Sequence, residues 1–226
     1  MISPLFIFNR VASLSKKDKA GYMSAEEFTD DLNQAQEILM EFYYDRFERT
    51  QKIVDSLLPF IKEVNLQINE GTVQFPEDYR HRVEVYYNLT QKQCNAPPKL
   101  MKCPMPHLHI NERAETLRSS VRRPSLKKKI FFHSFVNDSM QVFPEDLLGS
   151  VGFTYITNPP AAKYAVDIDV FNDEENYNAA NSIDLLWNAQ DSEEIVSIML
   201  LFKGIQVRES ALIQWVNEKQ GISNNL

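Results

Sequence analysis

Cysteine is nearly absent from this 226-residue chain: Cys94 and Cys103 are the only two. So sparse a set excludes a disulfide framework and makes a reducing compartment the default. Glycine is scarce as well, at six residues, and none falls in G-x-S-x-G or in a glycine-rich phosphate loop. Two common scaffolds for nucleophilic and phosphoryl chemistry are therefore missing. No apolar run approaches the ~20 residues of a membrane span. The stretch from Met1 to Leu14 has no basic leading segment and is interrupted by Pro4, Asn9 and Arg10, so neither a secretion signal nor an anchor is expected there. No repeat or low-complexity tract is visible.

What is present is enough for a full core without metal: 43% of the residues are hydrophobic and the net charge is −7. This fits one domain, or one domain with an appended helical part. Leu5, Phe8, Val11 and Leu14 recur at helical spacing. Ser24 followed by Glu27 has the form of a capping box. Behind it Phe28, Leu32, Ala35, Leu39, Phe42, Tyr43 and Phe47 form one apolar stripe, which predicts a long amphipathic helix ending near Arg49. A shorter helical stretch carries Ile53, Val54, Leu57 and Leu58 and breaks at Pro59.

The period then changes to two. Val64, Leu66 and Ile68 alternate with polar residues, as do Val73 and Phe75, then Val83, Val85 and Tyr87; half-buried strands have this pattern. Residues 91–127 hold Pro97, Pro98, Pro104, Pro106 and Pro124, which predicts a long loop. Strand character resumes at Ile130–Val136, Met140–Phe143, Val151–Thr157 and Tyr164–Val170, with Pro144 and Pro159-Pro160 as strand stops. Asp191 with Glu194 opens a helix that Gly204 ends, and residues 208–220 form a second helix stopped by Gly221. The expected class is α+β: N-terminal helices over 1–62, a mostly antiparallel sheet or sandwich over 63–190 carrying the 91–127 excursion, and a helical hairpin over 191–226.

Three groups invite a chemical reading. The run from Lys16 to Phe28 is similar to an EF-hand loop, but only Asp18 and Glu27 offer side-chain oxygens where calcium wants six to eight, and lysines flank them. A glycine turn into a capped helix accounts for every residue. Cys94, Cys103, His107 and His109 are zinc-type ligands within sixteen residues, without a C-x2-C knuckle. They define the alternative of a metal-dependent enzyme, but no stoichiometric metal or cofactor is expected. Asp167, Asp169, Asp173, Glu174 and Glu175 are rich in carboxylates, but a solvated strand face followed by an acidic turn explains them without acid/base work.

Charge segregation is the stronger signal. Between Asn111 and Ile130, Arg113, Arg118, Arg122, Arg123, Lys127, Lys128 and Lys129 face only Glu112 and Glu115, a net +5 that leaves −12 on the remainder. Such a block can neutralise phosphates or dock on an acidic partner, a second copy included. No aromatic residue interleaves it, so base stacking is not expected. The residues assigned to interaction are Arg118, Arg122, Arg123, Lys127, Lys128 and Lys129, and no catalytic residue is assigned.

Three passages together resemble structural proteins of tailed bacteriophages with Bacteroidetes hosts, the crAss-like podophages among them. They are Gly21–Phe28 with Asn33–Gln36 downstream, Gly71–Tyr79, and the stretch from Met140 through Pro159-Pro160 and Ser182–Trp187 to the chain's last helices. The resemblance implies a non-enzymatic virion component, assembled in the bacterial cytoplasm: a ring in the head–tail connector or tail beneath the portal, with a tail-fibre or tail adaptor as the alternative. It further implies a homo-oligomer of about twelve copies to follow the portal. Its partners would be the portal and neighbouring ring or tail proteins, with non-specific contact to passing DNA and none to membrane.

Overall fold

The computed structural model describes residues 1–17, 23–47, 51–93, 96–168 and 175–204. The fold is α+β, and the chain divides into two units: 61–158, and a discontinuous unit made from 1–60 with the residues from Pro159 onward. The sequence pattern ended the β-rich region at 190, whereas residues from Pro159 belong with the helices.

In the discontinuous unit, α1 (Pro4–Lys17) buries Ile7 and Val11. Helix α2 (Ala25–Tyr44) starts where Ser24 Oγ accepts the Glu27 N–H at 3.2 Å. The other half of the expected capping box is not made that way, because the Glu27 carboxylate pairs with Lys203. The apolar stripe lies in the core, with Phe28, Leu32, Ala35 and Leu39 at 0% exposure, but the helix ends at Tyr44, short of the expected Arg49. Helix α3 (Gln51–Leu57) gives way to a 3-10 turn at Leu58–Phe60, where Pro59 cannot continue an α-helix.

The same helix α2 carries a polar ladder beside its stripe. Thr29 Oγ1 accepts the Tyr164 N–H, Asn33 exchanges hydrogen bonds with both backbone groups of Ala162, and Gln36 Oε1 accepts the indole N–H of the fully buried Trp187. Helix α5 (Ser192–Phe202) begins at Asp191 as the sequence indicates, but that carboxylate does not cap it. Asp191 is fully buried, and its Oδ1 accepts from Tyr43 Oη (2.9 Å) and Ser56 Oγ (2.8 Å). Burial pushes its carboxyl pKa up. Gly204, at φ +69°, ends the helix in the left-handed conformation expected of a C-cap. The expected final helix 208–220 lies outside the described residues.

The 61–158 unit is antiparallel β. Strands β1 (Ile61–Gln67), β7 (Ser150–Thr157), β3 (Tyr79–Gln93) and β4 (Ala96–Pro104) form one sheet in the order β1-β7-β3-β4. Strands β2 (Thr72–Gln74), β6 (Ser139–Phe143) and β5 (Phe132–Val136) form a second, in the order β2-β6-β5. Val85, Tyr87, Val151 and Phe153 of the first sheet and Val73, Met140 and Val142 of the second belong to one buried core, together with Cys103, Met105 and Phe131. Strands β6 and β7 stop ahead of Pro144 and Pro159, as expected.

Two differences concern the excursion and the acidic strand. Residues 91–127 are not a long loop: they hold β4 and a helix, α4 (Ile110–Arg118). Strand β4 is an edge strand, and Pro97 and Pro98 fall where its register with β3 shifts, between Ala96 and Lys99; edges and bulges are where a sheet tolerates proline. Of the expected strand 164–170, Val166–Ile168 form β8, which pairs with β9 (Glu175–Tyr177) in an isolated ribbon of the discontinuous unit, while residues 169 and 170 lie outside the described residues. Asp167 and Glu175 are exposed there, while Asp169, Asp173 and Glu174 lie outside the described residues.

One glycine decides the packing of the larger sheet. Gly152 of β7 stands opposite both Tyr86 of β3 and Asn65 of β1. A Cβ built on it would meet the Tyr86 ring at 2.1 Å, so the ring lies across the strand where a side chain would stand. The Tyr86 hydroxyl donates to Glu63 on β1, and Lys102 on β4 lies 4.3 Å from the Tyr86 ring centroid and 2.8 Å from Glu63. The Tyr86 side chain thus reaches from β3 across β7 to β1, and Lys102 joins β4 to it. We expect Gly152→Ala to destabilise the protein by about 1–3 kcal/mol through overpacking. Adding Tyr86→Ala should recover part of that loss, a coupling that a double-mutant cycle in urea measures. Additive effects would show that the ring does not need the bare glycine.

Candidate interaction surface

The basic segment is built, residue by residue, onto the 61–158 unit. Helix α4 lies against the end of β6, with the Arg113 guanidinium 5.0 Å from the Phe143 ring centroid, a cation–π contact. The helix ends at Ser119, whose Oγ accepts the N–H groups of Val121 (3.3 Å) and Arg122 (3.1 Å) and whose carbonyl accepts that of Arg123 (3.1 Å). Serine is suited to this role because its short hydroxyl reaches the backbone two and three residues on. Pro124 is buried and fixes the chain on the body of the unit.

A tight turn follows. Ser125 and Ile130 exchange backbone hydrogen bonds at 2.9 and 3.1 Å, and the Lys129 N–H reaches the Leu126 carbonyl at 3.2 Å. Lys129 itself adopts a left-handed φ of +56°, which closes the turn. Lys128 Nζ donates to the Ser120 carbonyl at 2.9 Å, tying the turn to the segment before it. Phe131, 2% exposed, anchors the far end in the core.

All six residues assigned from the sequence, Arg118, Arg122, Arg123, Lys127, Lys128 and Lys129, are exposed on this segment. None forms an ion pair with a described residue. Apolar side chains stand among them: Val121 is 74% exposed and Leu126 51%. Arg123 also lines a cavity of ≈ 420 Å³ with Leu117, Pro124 and Phe143, whose far wall carries Glu145 and Asp146. The arrangement offers fixed positive charge with an apolar component and holds no group poised for bond chemistry.

The Cys/His group is described in part. Cys94 lies outside the described residues, and Cys103 is a buried member of the β core. His107 and His109 do meet, with ring centroids 4.8 Å apart at 90°. His107 is bridged in parallel to His133, and His109 is the N-cap residue of α4, so the two are not on a regular strand. Among the described residues no three His, Cys, Asp or Glu side chains converge on a metal position. Asp18 of the EF-hand-like run is outside the described residues too. Also among the described residues, no helix is long and apolar enough to cross a membrane.

Sequence reasoning missed His133, which no motif marks. It is 2% exposed; its Nδ1 lies 2.6 Å from the Met105 carbonyl and its Nε2 2.7 Å from Arg82 Nη1. A carbonyl only accepts, so Nδ1 carries the proton and the bare Nε2 accepts from the guanidinium. Burial, then the Arg82 charge, lowers the His133 pKa to about 3, and His107 is shifted the same way by burial, Arg82 and His109. Both nitrogens of His133 are committed, which makes it an internal strut holding Arg82 to the turn at Met105.

No family model matches the chain, and no curated protein matches its sequence.

Two outcomes are expected from this geometry. Elemental analysis of the purified protein should find well under one zinc per chain; a value near one would promote the metal-enzyme alternative. The second concerns pH. An unfolded histidine titrates near 6.5, so between that value and about 3 the unfolded chain holds a proton that folded His133 refuses. Stability is therefore complete above pH ~6.5 and falls as pH drops, by about 2 kcal/mol at pH 5. Urea midpoints at pH 7 and 5 should show this loss, and His133→Gln should reduce its slope by about one proton. An unchanged slope in the variant would mean that His133 is not the group responsible.

Proposed function

We propose that this chain is a non-enzymatic structural protein that assembles with copies of itself into a closed ring, in the head–tail connector or tail of a tailed-phage virion beneath the portal. The observation that carries the assembly is the distribution of charge over the two units. Residues 61–158 hold thirteen lysines and arginines against ten aspartates and glutamates, a net of +3. The discontinuous unit holds eleven against twenty-one, a net of −10. A molecule with unlike surfaces of opposite sign is complementary to its own copy head to tail, and a head-to-tail contact that closes is a ring. The placement in a phage particle rests on the resemblance in the sequence.

The energetics suit such a role. Exposed ion pairs contribute only about 0.2–1 kcal/mol each, so six basic residues give a few kcal/mol per contact. That is weak for a dimer and sufficient for a ring, where each copy is held from both sides. The interface is polar and salt-sensitive rather than a large apolar patch. Docking is favoured over DNA binding because a conduit of net charge −7 repels the cargo from most of its wall.

The test is assembly itself. Purified protein at low salt should form closed rings of about twelve copies by electron microscopy or native mass spectrometry, and rings of the same size should appear beneath the portal in imaged particles. Replacing Arg118, Arg122, Arg123, Lys127, Lys128 and Lys129 by alanine should weaken assembly by at least about a hundredfold, equivalent to ~3 kcal/mol. Normal particles that keep their DNA would reduce the segment to a solvated loop.

A further inference from the structure

The basic turn has a shape as well as a charge. Its four outermost residues, Leu126 to Lys129, put one half-exposed leucine beside three exposed lysines, on a turn closed by the backbone hydrogen bonds between Ser125 and Ile130. A solvated loop has no use for an exposed leucine at its tip, and three adjacent like charges repel one another. Both features are relieved by a single kind of partner: an apolar recess with a carboxylate rim.

The discontinuous unit carries such a recess. A cavity of ≈ 400 Å³ opens between the first turns of α2 and the strand β8. Ala25, Ala165, Val166 and the buried Tyr164 are the apolar part of its lining. Glu26 and Asp30, both exposed and four residues apart on one face of α2, form one wall. Lys163 on the opposite side is the single cation of this lining, and the exposed Asp167 and Glu175 of the β8–β9 ribbon continue the negative surface past it.

We propose that this recess is the receptor for the basic turn of a second copy: Leu126 seats on Ala165 and Val166, and Lys127–Lys129 pair with Glu26, Asp30 and the neighbouring ribbon carboxylates. The inference rests on the ring assembly proposed above and specifies its contact. Knob and recess are different surfaces of one chain, so the contact is head-to-tail and every copy uses both. The leucine supplies register, which charge alone supplies poorly because long-range attraction does not fix position.

The test uses full-length chains and two charge reversals on exposed residues. Lys127→Glu/Lys128→Glu/Lys129→Glu places an acidic turn against an acidic wall; Glu26→Lys/Asp30→Lys places a basic wall against a basic turn. Each variant alone should lose assembly by at least about a hundredfold at low salt, as like charges meet. Mixed in equal amounts they should regain it, because every acidic turn then meets a basic wall and every basic turn an acidic one. Circular dichroism of each variant checks that it is folded, and recovery in the mixture is itself a proof of folding. Leu126→Ser should weaken assembly while leaving its salt dependence unchanged. Variants that assemble like the wild type, or a folded pair that fails to restore assembly when mixed, overturn this contact while ring formation by the wild type stands. A wild-type protein that stays monomeric at every concentration overturns the ring and the contact together.

Discussion

The larger sheet depends on the absence of one side chain. Gly152 leaves β7 bare at its middle, and the Tyr86 ring fills the gap, tied to Glu63 on one side and approached by Lys102 on the other. The ring recovers surface that a glycine in a strand would otherwise leave unpacked, the aromatic rescue of an interior glycine. On the opposite face of the strand, set by the alternation of side chains, Val151, Phe153 and Tyr155 belong to the core shared with the second sheet. The two faces are thus stabilised differently: one by close apolar packing, the other by a single aromatic plank with a charged pair at its ends. The Lys102 hydrogen bond, followed by that of Tyr86, holds the Glu63 carboxyl below its usual range.

The discontinuous unit uses another logic. Its core is apolar, with aromatic contacts such as Phe60 against Trp187 joining its two stretches of chain, and a set of buried and half-buried hydrogen bonds joins them as well. Thr29, Asn33 and Gln36 sit at successive turns of α2 and satisfy backbone groups of the 162–164 segment and the indole of Trp187. Asp191 takes hydrogen bonds from Tyr43 on α2 and Ser56 on α3 while starting α5. Apolar contacts tolerate sliding; hydrogen bonds of this kind do not, because each misalignment strands a buried polar group at about 1–3 kcal/mol. They give the helices one register.

Local chemistry made much of this legible in advance. The Ser24 cap, the α2 stripe from Phe28 to Tyr43, the strand stops at Pro144 and Pro159 and the Gly204 terminus depend on neighbouring residues, and these are where the sequence puts them. The basic residues were recognisable from charge alone, and their exposure follows from their solvation. What was not legible was relational. The prolines of β4 look like loop residues until the strand is known to lie on an edge. Asp191 has the spacing of a cap, and only the approach of Tyr43 and Ser56 turns it inward. His133 carries no motif, and its role comes from Arg82, fifty-one positions away. The recess beside α2 likewise exists only when β8 is brought against Ala25 and Glu26.

The 61–158 unit begins with β1 and ends with β7, and these strands are paired neighbours with Ile61 opposite Ile156. Its first and last residues therefore emerge side by side. During synthesis, the helices of residues 1–60 cannot meet Trp187 and α5 until the whole intervening unit has been made. Closing so long a span as loose chain carries an entropic cost that grows with its length. Once the β unit has folded, the span behaves as a short tether, because the sheet already holds its two ends together. Folding of the β unit ahead of the helical one would therefore lower the closure entropy that the helical unit has to meet. The same adjacency is the geometry that domain insertion requires, with termini close enough to occupy one break in a host chain.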